Sequence, residues 1–178
     1  MKTGIAVSEQ EYLTNPAYEH CEYVGGEVVE KPRGTGKHGQ LELRFGMLLY
    51  AFAESKGLYL GSELHCRLLV GGETVFRIPD VAMSDMARLD ASDHHVGGPT
   101  LAIEIRSPGD RTKALLKKAE EYFANGTKLV WVVDPEARNV MVLVSDRVPW
   151  IMELGEELTG APVWPELKLD LEAAFRGI

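Results

Sequence analysis

The sequence predicts an α/β chain in which a mixed β-sheet is flanked by helices. Residues 101–105 alternate as a short apolar strand, residues 112–125 show amphipathic helical spacing, and residues 129–133 form a fully apolar strand. A strand, a helix and a second strand in this order favour a βαβ unit with parallel strands. Earlier strand patterns that flank Gly71-Gly72 are typical of an antiparallel hairpin, so we expect both strand directions in the sheet.

Length and composition fit a single domain covering residues 1–178. Of the 178 residues, 45% are hydrophobic, which is enough for a substantial core. The sequence has no apolar run of bilayer length and no secretory signal pattern, so we expect a cytoplasmic protein without a membrane partner. Cys21 and Cys66 lack the C-x-x-C spacing, which favours reduced, packed thiols over a disulfide or zinc site.

The formal net charge of −8 argues against a protein that coats nucleic acid along a broad surface. A phosphate-bearing substrate must instead meet a local basic patch or a bound cation.

The first third of the chain predicts a short helix, a hairpin and a long helix. Ser8 and Glu11 form a capping-box pattern, and residues 21–30 read as two strands around a Gly-Gly turn. Apolar residues at helical spacing then predict a core helix over residues 38–56 that ends at Gly57.

The sequence patterns in the middle and at the end of the chain again predict strands. Residues 58–70 and 73–84 predict an antiparallel meander, and residues 87–98 predict a polar loop. The amphipathic helix stops at Asn125-Gly126, a C-terminal signal. Further strands and a short closing helix are expected after the apolar strand.

Two acids in these strand patterns are candidates for metal binding. Asp80 shares one strand face with Ser84, and Glu104 shares one face with Arg106, so both carboxylates converge if the strands are neighbours. Carboxylate and carbonyl oxygens are the ligands that Mg²⁺ prefers. Asp is also a common turn residue after Pro, so a structural role for Asp80 stays open.

Lys118 lies on the flank of the apolar stripe of the predicted helix, whereas Lys117 points the other way. In a βαβ unit this flank reaches over the carboxyl edge of the sheet, so the Lys118 ammonium is expected to approach Glu104. A lysine that extends to solvent or pairs with Glu121 or Tyr122 is the alternative.

A glycine-rich segment precedes the long helix but lacks the spacing of a phosphate-binding P-loop. The candidates for contact with a nucleic-acid backbone are Arg33, Lys37, His38 and Arg111. The adjacent residues His94 and His95 are expected to be solvated rather than metal-bound, and Trp131 is expected in the core.

Four motifs in fixed order resemble the Uma-two-type endonucleases, a bacterial branch of the PD-(D/E)XK superfamily. These are P-D at 79–80, E-x-x-S-P at 104–108, K-x-x-x-Y at 118–122 and W-x-V-D-P at 131–135. The similarity also includes E-Y-V-G-G-E-V-V, His38 and the closing L-x-L-E-A-A-F, so it covers nearly the whole chain.

The resemblance implies a restriction-endonuclease-like core, a mixed sheet flanked by helices, with a site for Mg²⁺ or Mn²⁺. Its metal ligands would be Asp80, Glu104 and the Ile105 carbonyl. An acid from the N-terminal region is expected to join them, and we expect Glu27 rather than Glu22.

The superfamily's lysine, two residues after the second acid, corresponds to Arg106 in this sequence. Arginine cannot act as a base, although it can bind a phosphate oxygen. The family resemblance places the catalytic lysine at Lys118 instead. The implied activity is phosphodiester hydrolysis, on DNA rather than RNA, with a homodimer as the expected assembly. A catalytically weak or silent module that binds nucleic acid or protein is the alternative.

Overall fold

The computed structural model describes residues 4–31, 34–91 and 94–178. The described residues form three β-sheets and four α-helices. The helices are Glu9–Thr14 (α1), Gly36–Lys56 (α2), Thr112–Ala124 (α3) and Leu171–Phe175 (α4). None of these helices has the length and apolar character needed to cross a membrane. In chain order the strands are Ile5–Ala6 (β1), Cys21–Val24 (β2), Glu27–Glu30 (β3), Leu58–Ser62 (β4), Cys66–Val70 (β5), Glu73–Arg77 (β6), Val81–Asp85 (β7), His95–Val96 (β8), Leu101–Ile105 (β9), Leu129–Asp134 (β10), Asn139–Val144 (β11), Trp150–Met152 (β12), Glu157–Gly160 (β13) and Trp164–Asp170 (β14).

The central sheet has six strands in the order β12-β11-β10-β9-β7-β4. Strand β10 pairs in parallel with β9 and antiparallel with β11. The predicted βαβ unit is therefore confirmed, with α3 as its crossover helix. A second sheet has the order β1-β3-β2-β6-β5-β8, and β13 and β14 form a two-stranded sheet.

The local signals that we used to place the helices and hairpins are present in the structure. Ser8 caps α1, with its Oγ accepting a hydrogen bond from the Glu11 N–H at 3.1 Å. Gly71 and Gly72 have φ of 60° and 87° at the β5–β6 turn, a left-handed conformation that side chains disfavour. Gly57 ends α2 in the same region, with φ of 64°.

The predicted meander over residues 58–84 is wrong in one respect, because its strands divide between two sheets. Strands β5 and β6 pair in the second sheet, whereas β4 and β7 pair in the central sheet. The chain leaves the central sheet near Glu63, where φ is 52°, and returns after Pro79. Proline has no N–H to donate to a ladder, so it ends the pairing of the second sheet before Asp80.

Each face of the central sheet has its own core. Helix α2 packs against one face through Leu41, Phe45 and Leu49, and Trp131 is buried there as predicted. Helix α3 covers the other face together with β5 and β6. Because Ala82 and Ala102 lie on this second face, the even-numbered neighbours Asp80 and Glu104 point toward α3 and the second sheet.

Candidate active site

Asp80 and Glu104 lie opposite each other on neighbouring strands. Val81 pairs with Ile103 in the antiparallel β7–β9 ladder, and this register places Asp80 opposite Glu104. Both side chains are buried, with relative exposures of 2% and 4%. The Ile105 N–H donates a hydrogen bond to Asp80 Oδ2 at 2.6 Å, which ties the first acid to the end of β9. The two acids selected from the sequence therefore meet.

Two cations contact Asp80. Lys31 Nζ lies 3.1 Å from Oδ1, and His38 Nε2 lies 3.2 Å from Oδ2. Burial alone would raise the pKa of Asp80, but the hydrogen bond from His38 and the charge of Lys31 outweigh it and lower this pKa to about 2. The hydrogen bond to Asp80 in turn raises the pKa of His38. Asp80 is therefore ionised at neutral pH although it is buried.

Glu104 is held from the crossover helix. Lys118 Nζ lies 3.1 Å from Oε2, and the Tyr122 hydroxyl donates to Oε1 at 2.8 Å. Burial raises the pKa of Glu104 and Lys118 opposes this, while the negative charges of Asp80 and Glu22 raise it further. The net direction is upward, so ionised Glu104 is held at a cost in stability. Such opposed pKa shifts in neighbouring acids are frequent at catalytic sites.

The N-terminal acid in this cluster is Glu22, not Glu27. Lys118 Nζ lies 2.8 Å from Glu22 Oε1, so its ammonium bridges Glu22 and Glu104. Arg77 Nη1 contacts Glu22 Oε2 at 2.7 Å. Glu27 lies on an exposed position of β3. Our choice between the two acids was wrong because Glu22 lies on β2, next to β6 and its Arg77, whereas Glu27 lies beside the turn on β3, one strand further from β6.

The replacement Glu22→Gln is expected to destabilise the protein by about 1.5–3 kcal/mol at neutral pH, because charged hydrogen bonds to Arg77 and Lys118 are lost. Glu27→Gln is expected to change stability by less than about 0.5 kcal/mol, as exposed sites usually do. Burial would raise the pKa of Glu22, but the charges of Lys118 and Arg77 outweigh it and lower this pKa. Ionised Glu22 therefore stabilises the fold above the ordinary glutamate pKa, and this stabilisation is lost as the pH falls through the folded-state pKa. Urea unfolding of both variants at pH 7 measures the difference; equal effects would contradict this placement of Glu22.

Arg106 lies outside the acid cluster. Its Nη1 contacts Asp134 Oδ2 at 2.8 Å. It lines a cleft of about 690 Å³ together with Lys37 from the start of α2 and the loop that precedes α3. Lys37 Nζ pairs with Glu136 at 3.0 Å on the rim of this cleft. The structure thus brings together two of the predicted phosphate contacts, although each is already paired with an acid.

The other predicted contacts have different positions. His38 was expected to face nucleic acid, but Thr35 caps α2 so that the first turn directs the His38 ring to Asp80. Arg111 is the exposed N-cap residue of α3. Arg33 lies outside the described residues. His95, expected in solvent, is fully buried because its ring bonds to Ser84 and to the Gly97 carbonyl.

The donor chemistry of the cluster fits a hard divalent cation, since two buried carboxylates face each other at the end of β9. Across the described ranges, no three His, Cys, Asp or Glu side chains are arranged to share a metal ion. The internal cations explain this arrangement: ammonium groups contact Asp80 Oδ1 and Glu104 Oε2. Metal binding at these oxygens therefore requires that the side-chain cations move.

Sequence reasoning missed Lys31 and the hydrogen bond of Tyr122. Lys31 follows β3 in a polar segment, and no periodicity or motif distinguishes it from other surface lysines. Tyr122 had a usable signal, because it lies four residues after Lys118 and therefore on the same helical face. Its ring is fully buried in the core, and its hydroxyl reaches the acid site.

The fold is of a nuclease-like α+β class, as predicted. The chain is similar to a crystal structure from Anabaena variabilis described as "a putative nuclease belonging to DUF820", with a TM-score of 0.79 and 21% identity over 95% of this chain and 97% of that one. The chain belongs to the Uma2 family, described as "Putative restriction endonuclease", whose model matches residues 9–172. A complex of DrdV with DNA, determined by cryo-electron microscopy, gives a TM-score of 0.39 and 18% identity over 63% of this chain and 68% of that one. A search of curated proteins gave no significant match.

Proposed function

We propose that this protein is a metal-dependent nuclease that hydrolyses phosphodiester bonds, in DNA rather than RNA. The observation that carries the proposal is the opposed pair Asp80 and Glu104, with the Lys118 ammonium 3.1 Å from Glu104. Membership in the Uma2 family, described as "Putative restriction endonuclease", supports the same reaction class. We further propose a cytoplasmic location and a homodimeric state.

Asp80, Glu104 and the Ile105 carbonyl would hold Mg²⁺ or Mn²⁺. A divalent ion bound there lowers the pKa of a bound water and offsets the charge that grows on the phosphate. Tyr122 fixes the orientation of the Glu104 carboxylate through its hydrogen bond to Oε1. When a metal takes Glu104 Oε2, the Lys118 ammonium, now 3.1 Å from that oxygen, would turn to the bound water, orient it for attack and stabilise its hydroxide form.

The cleft beside the cluster suits the flanking nucleic-acid backbone. Arg106 and Lys37 line it and can each exchange an acid partner for a phosphate oxygen. Arg111 adds a third exposed cation at the start of α3. Because Asp110, Asp134 and Glu136 also line this cleft, its cations become available to phosphate only when they leave their acid partners.

Nicking of supercoiled plasmid in Mg²⁺ or Mn²⁺ tests the proposal. We expect nicked product that disappears with EDTA and in the Asp80→Asn and Lys118→Ala variants prepared in parallel. Single-stranded DNA and RNA of matched length measure the preference for DNA. Folded protein that binds Mn²⁺ but cleaves none of these substrates would overturn the proposal.

One observation favours the alternative of a silent module that binds nucleic acid or protein. Each carboxylate oxygen of Asp80 and Glu104 already has an internal partner. In a silent module these acids would serve only as members of salt bridges. Neutralising one of them would then lower stability without affecting metal binding.

A further inference from the structure

Lys31 occupies a position in the acid cluster that the proposed reaction does not use. Its Nζ lies 2.6 Å from Glu63 Oε1 and 3.1 Å from Asp80 Oδ1. The side chain is 13% exposed, and that of its partner Glu63 is 36% exposed, so the pair reaches the edge of the buried cluster. An ammonium is a compact point charge, and here it contacts the carboxylate oxygens of two different acids. Lys31 thus makes contacts of the type that a small inorganic cation makes.

A third acid lies close to this position. Burial raises the pKa of Glu42, and the negative charges of Asp80 and Glu63 raise it further. Lys31 and His38 are the cations that contact Asp80 among the described residues. The positive charge of Lys31 therefore reduces the repulsion between the carboxylates of Asp80, Glu63 and Glu42.

Lys31 also differs from Lys118 in the burial of its partners. Lys118 Nζ lies between Glu22 and Glu104, whose side chains are 6% and 5% exposed, whereas Glu63, the second partner of Lys31, is 36% exposed. Lys31 follows the end of β3, and its flexible four-carbon stem allows the ammonium to leave Asp80 while it stays paired with Glu63.

We propose that Lys31 is the internal counterion of Asp80 in the metal-free protein and that a divalent cation displaces it from Asp80. This inference rests on the proposed metal-dependent function. Lys31 keeps the acids ionised and in place before metal arrives, and it competes with the metal for Asp80 Oδ1. Removal of its charge should therefore tighten metal binding, whereas removal of a merely structural ion pair should leave metal binding unchanged or weaken it.

Calorimetric titration of Mn²⁺ into Lys31→Met, compared with the unmodified protein, tests the proposal. Methionine retains an apolar stem without the charge. We expect the Kd for Mn²⁺ to fall at least about tenfold, since a like charge within a few ångströms of the bound ion is removed. Lys168→Met is the control, because Lys168 forms an exposed pair with Glu157 at 2.7 Å, and its Kd should equal that of the unmodified protein.

The outcomes separate this inference from the proposed function. Binding to the unmodified protein with an unchanged or higher Kd in Lys31→Met overturns the inference alone. Binding only in Lys31→Met supports it, because the lysine then blocks the site completely. Absence of binding in both proteins overturns the metal site and the inference together.

A second measurement on the unmodified protein applies even if Lys31→Met does not fold. Acetylation of lysines, quantified by mass spectrometry with and without saturating Mn²⁺, reports the accessibility of each ammonium. We expect the acetylation rate of Lys31 to rise severalfold when metal binds, while that of Lys168 stays constant. A Lys31 that remains equally protected at saturating metal would overturn the displacement.

Discussion

The replacement Glu104→Gln is expected to abolish cleavage without destabilising the protein at neutral pH. The loss of a metal-binding carboxylate should lower the cleavage rate by at least about 10³-fold, because a bound metal supplies several kcal/mol of transition-state stabilisation. Stability should stay constant or increase. Burial and the charges of Asp80 and Glu22 raise the pKa of Glu104 even though Lys118 opposes them, so its ionised form opposes folding. The loss of unfolding free energy due to Glu104 is absent below the ordinary glutamate pKa. It grows as the pH rises to the raised pKa of Glu104 in the folded protein and is constant at higher pH.

Glu121→Gln is the matched control, since Glu121 is also a buried acid in a salt bridge. Arg77 Nε lies 2.7 Å from Glu121 Oε2. We expect this variant to lose about 1.5–3 kcal/mol of unfolding free energy and to keep its cleavage rate per folded molecule. Parallel measurements of plasmid nicking and of urea unfolding at pH 7.5 give both quantities. If Glu104→Gln lost stability as Glu121→Gln does and still bound Mn²⁺, Glu104 would be a structural acid.

The parts of the site that could be predicted lie within one contiguous segment. Residues 101–133 carry local periodicity, and a βαβ unit has a defined geometry. The strand pattern therefore placed Glu104, and the helical pattern placed Lys118 on the flank that faces it. The structure brings these two residues to 3.1 Å.

The parts that could not be predicted depend on contacts between distant segments. The choice of Glu22 over Glu27 depends on which strand of a hairpin lies next to β6, and both strands have similar local patterns. The position of Lys31 depends on the division of the strands between two sheets, which brings Glu63 and Asp80 to the same ammonium. Neither arrangement has a period or a motif that a single sequence shows.

Lys118→Met is expected to destabilise the protein by about 3–5 kcal/mol at neutral pH, because breaking a buried salt bridge leaves uncompensated charge. The variant would retain the stem of the side chain but leave Glu22 and Glu104 facing each other without the ammonium at 2.8 and 3.1 Å. Cleavage should also be lost, since Lys118 is the group proposed to orient the attacking water. Lys117→Met is the control on the same helix, because Lys117 is exposed and lies 3.7 Å from Glu121.

The pH dependence separates the charge of Lys118 from its packing. Burial lowers the pKa of Lys118, but Glu104 and Glu22 outweigh it and raise the pKa above its ordinary value. The contribution of its charge is therefore complete below the ordinary lysine pKa and is lost only as the pH rises through the folded-state pKa. Below pH 7 the protonation of the two acids determines how much stability Lys118→Met loses. The difference in unfolding free energy from the unmodified protein should become smaller toward about pH 4, because Glu104 and Glu22 take up protons in the variant. Urea unfolding at several pH values measures this trend. A deficit that stays equal at pH 4.5 and pH 7.5 would show that Lys118 stabilises the protein by packing, and Glu104 would then not depend on it for its charge.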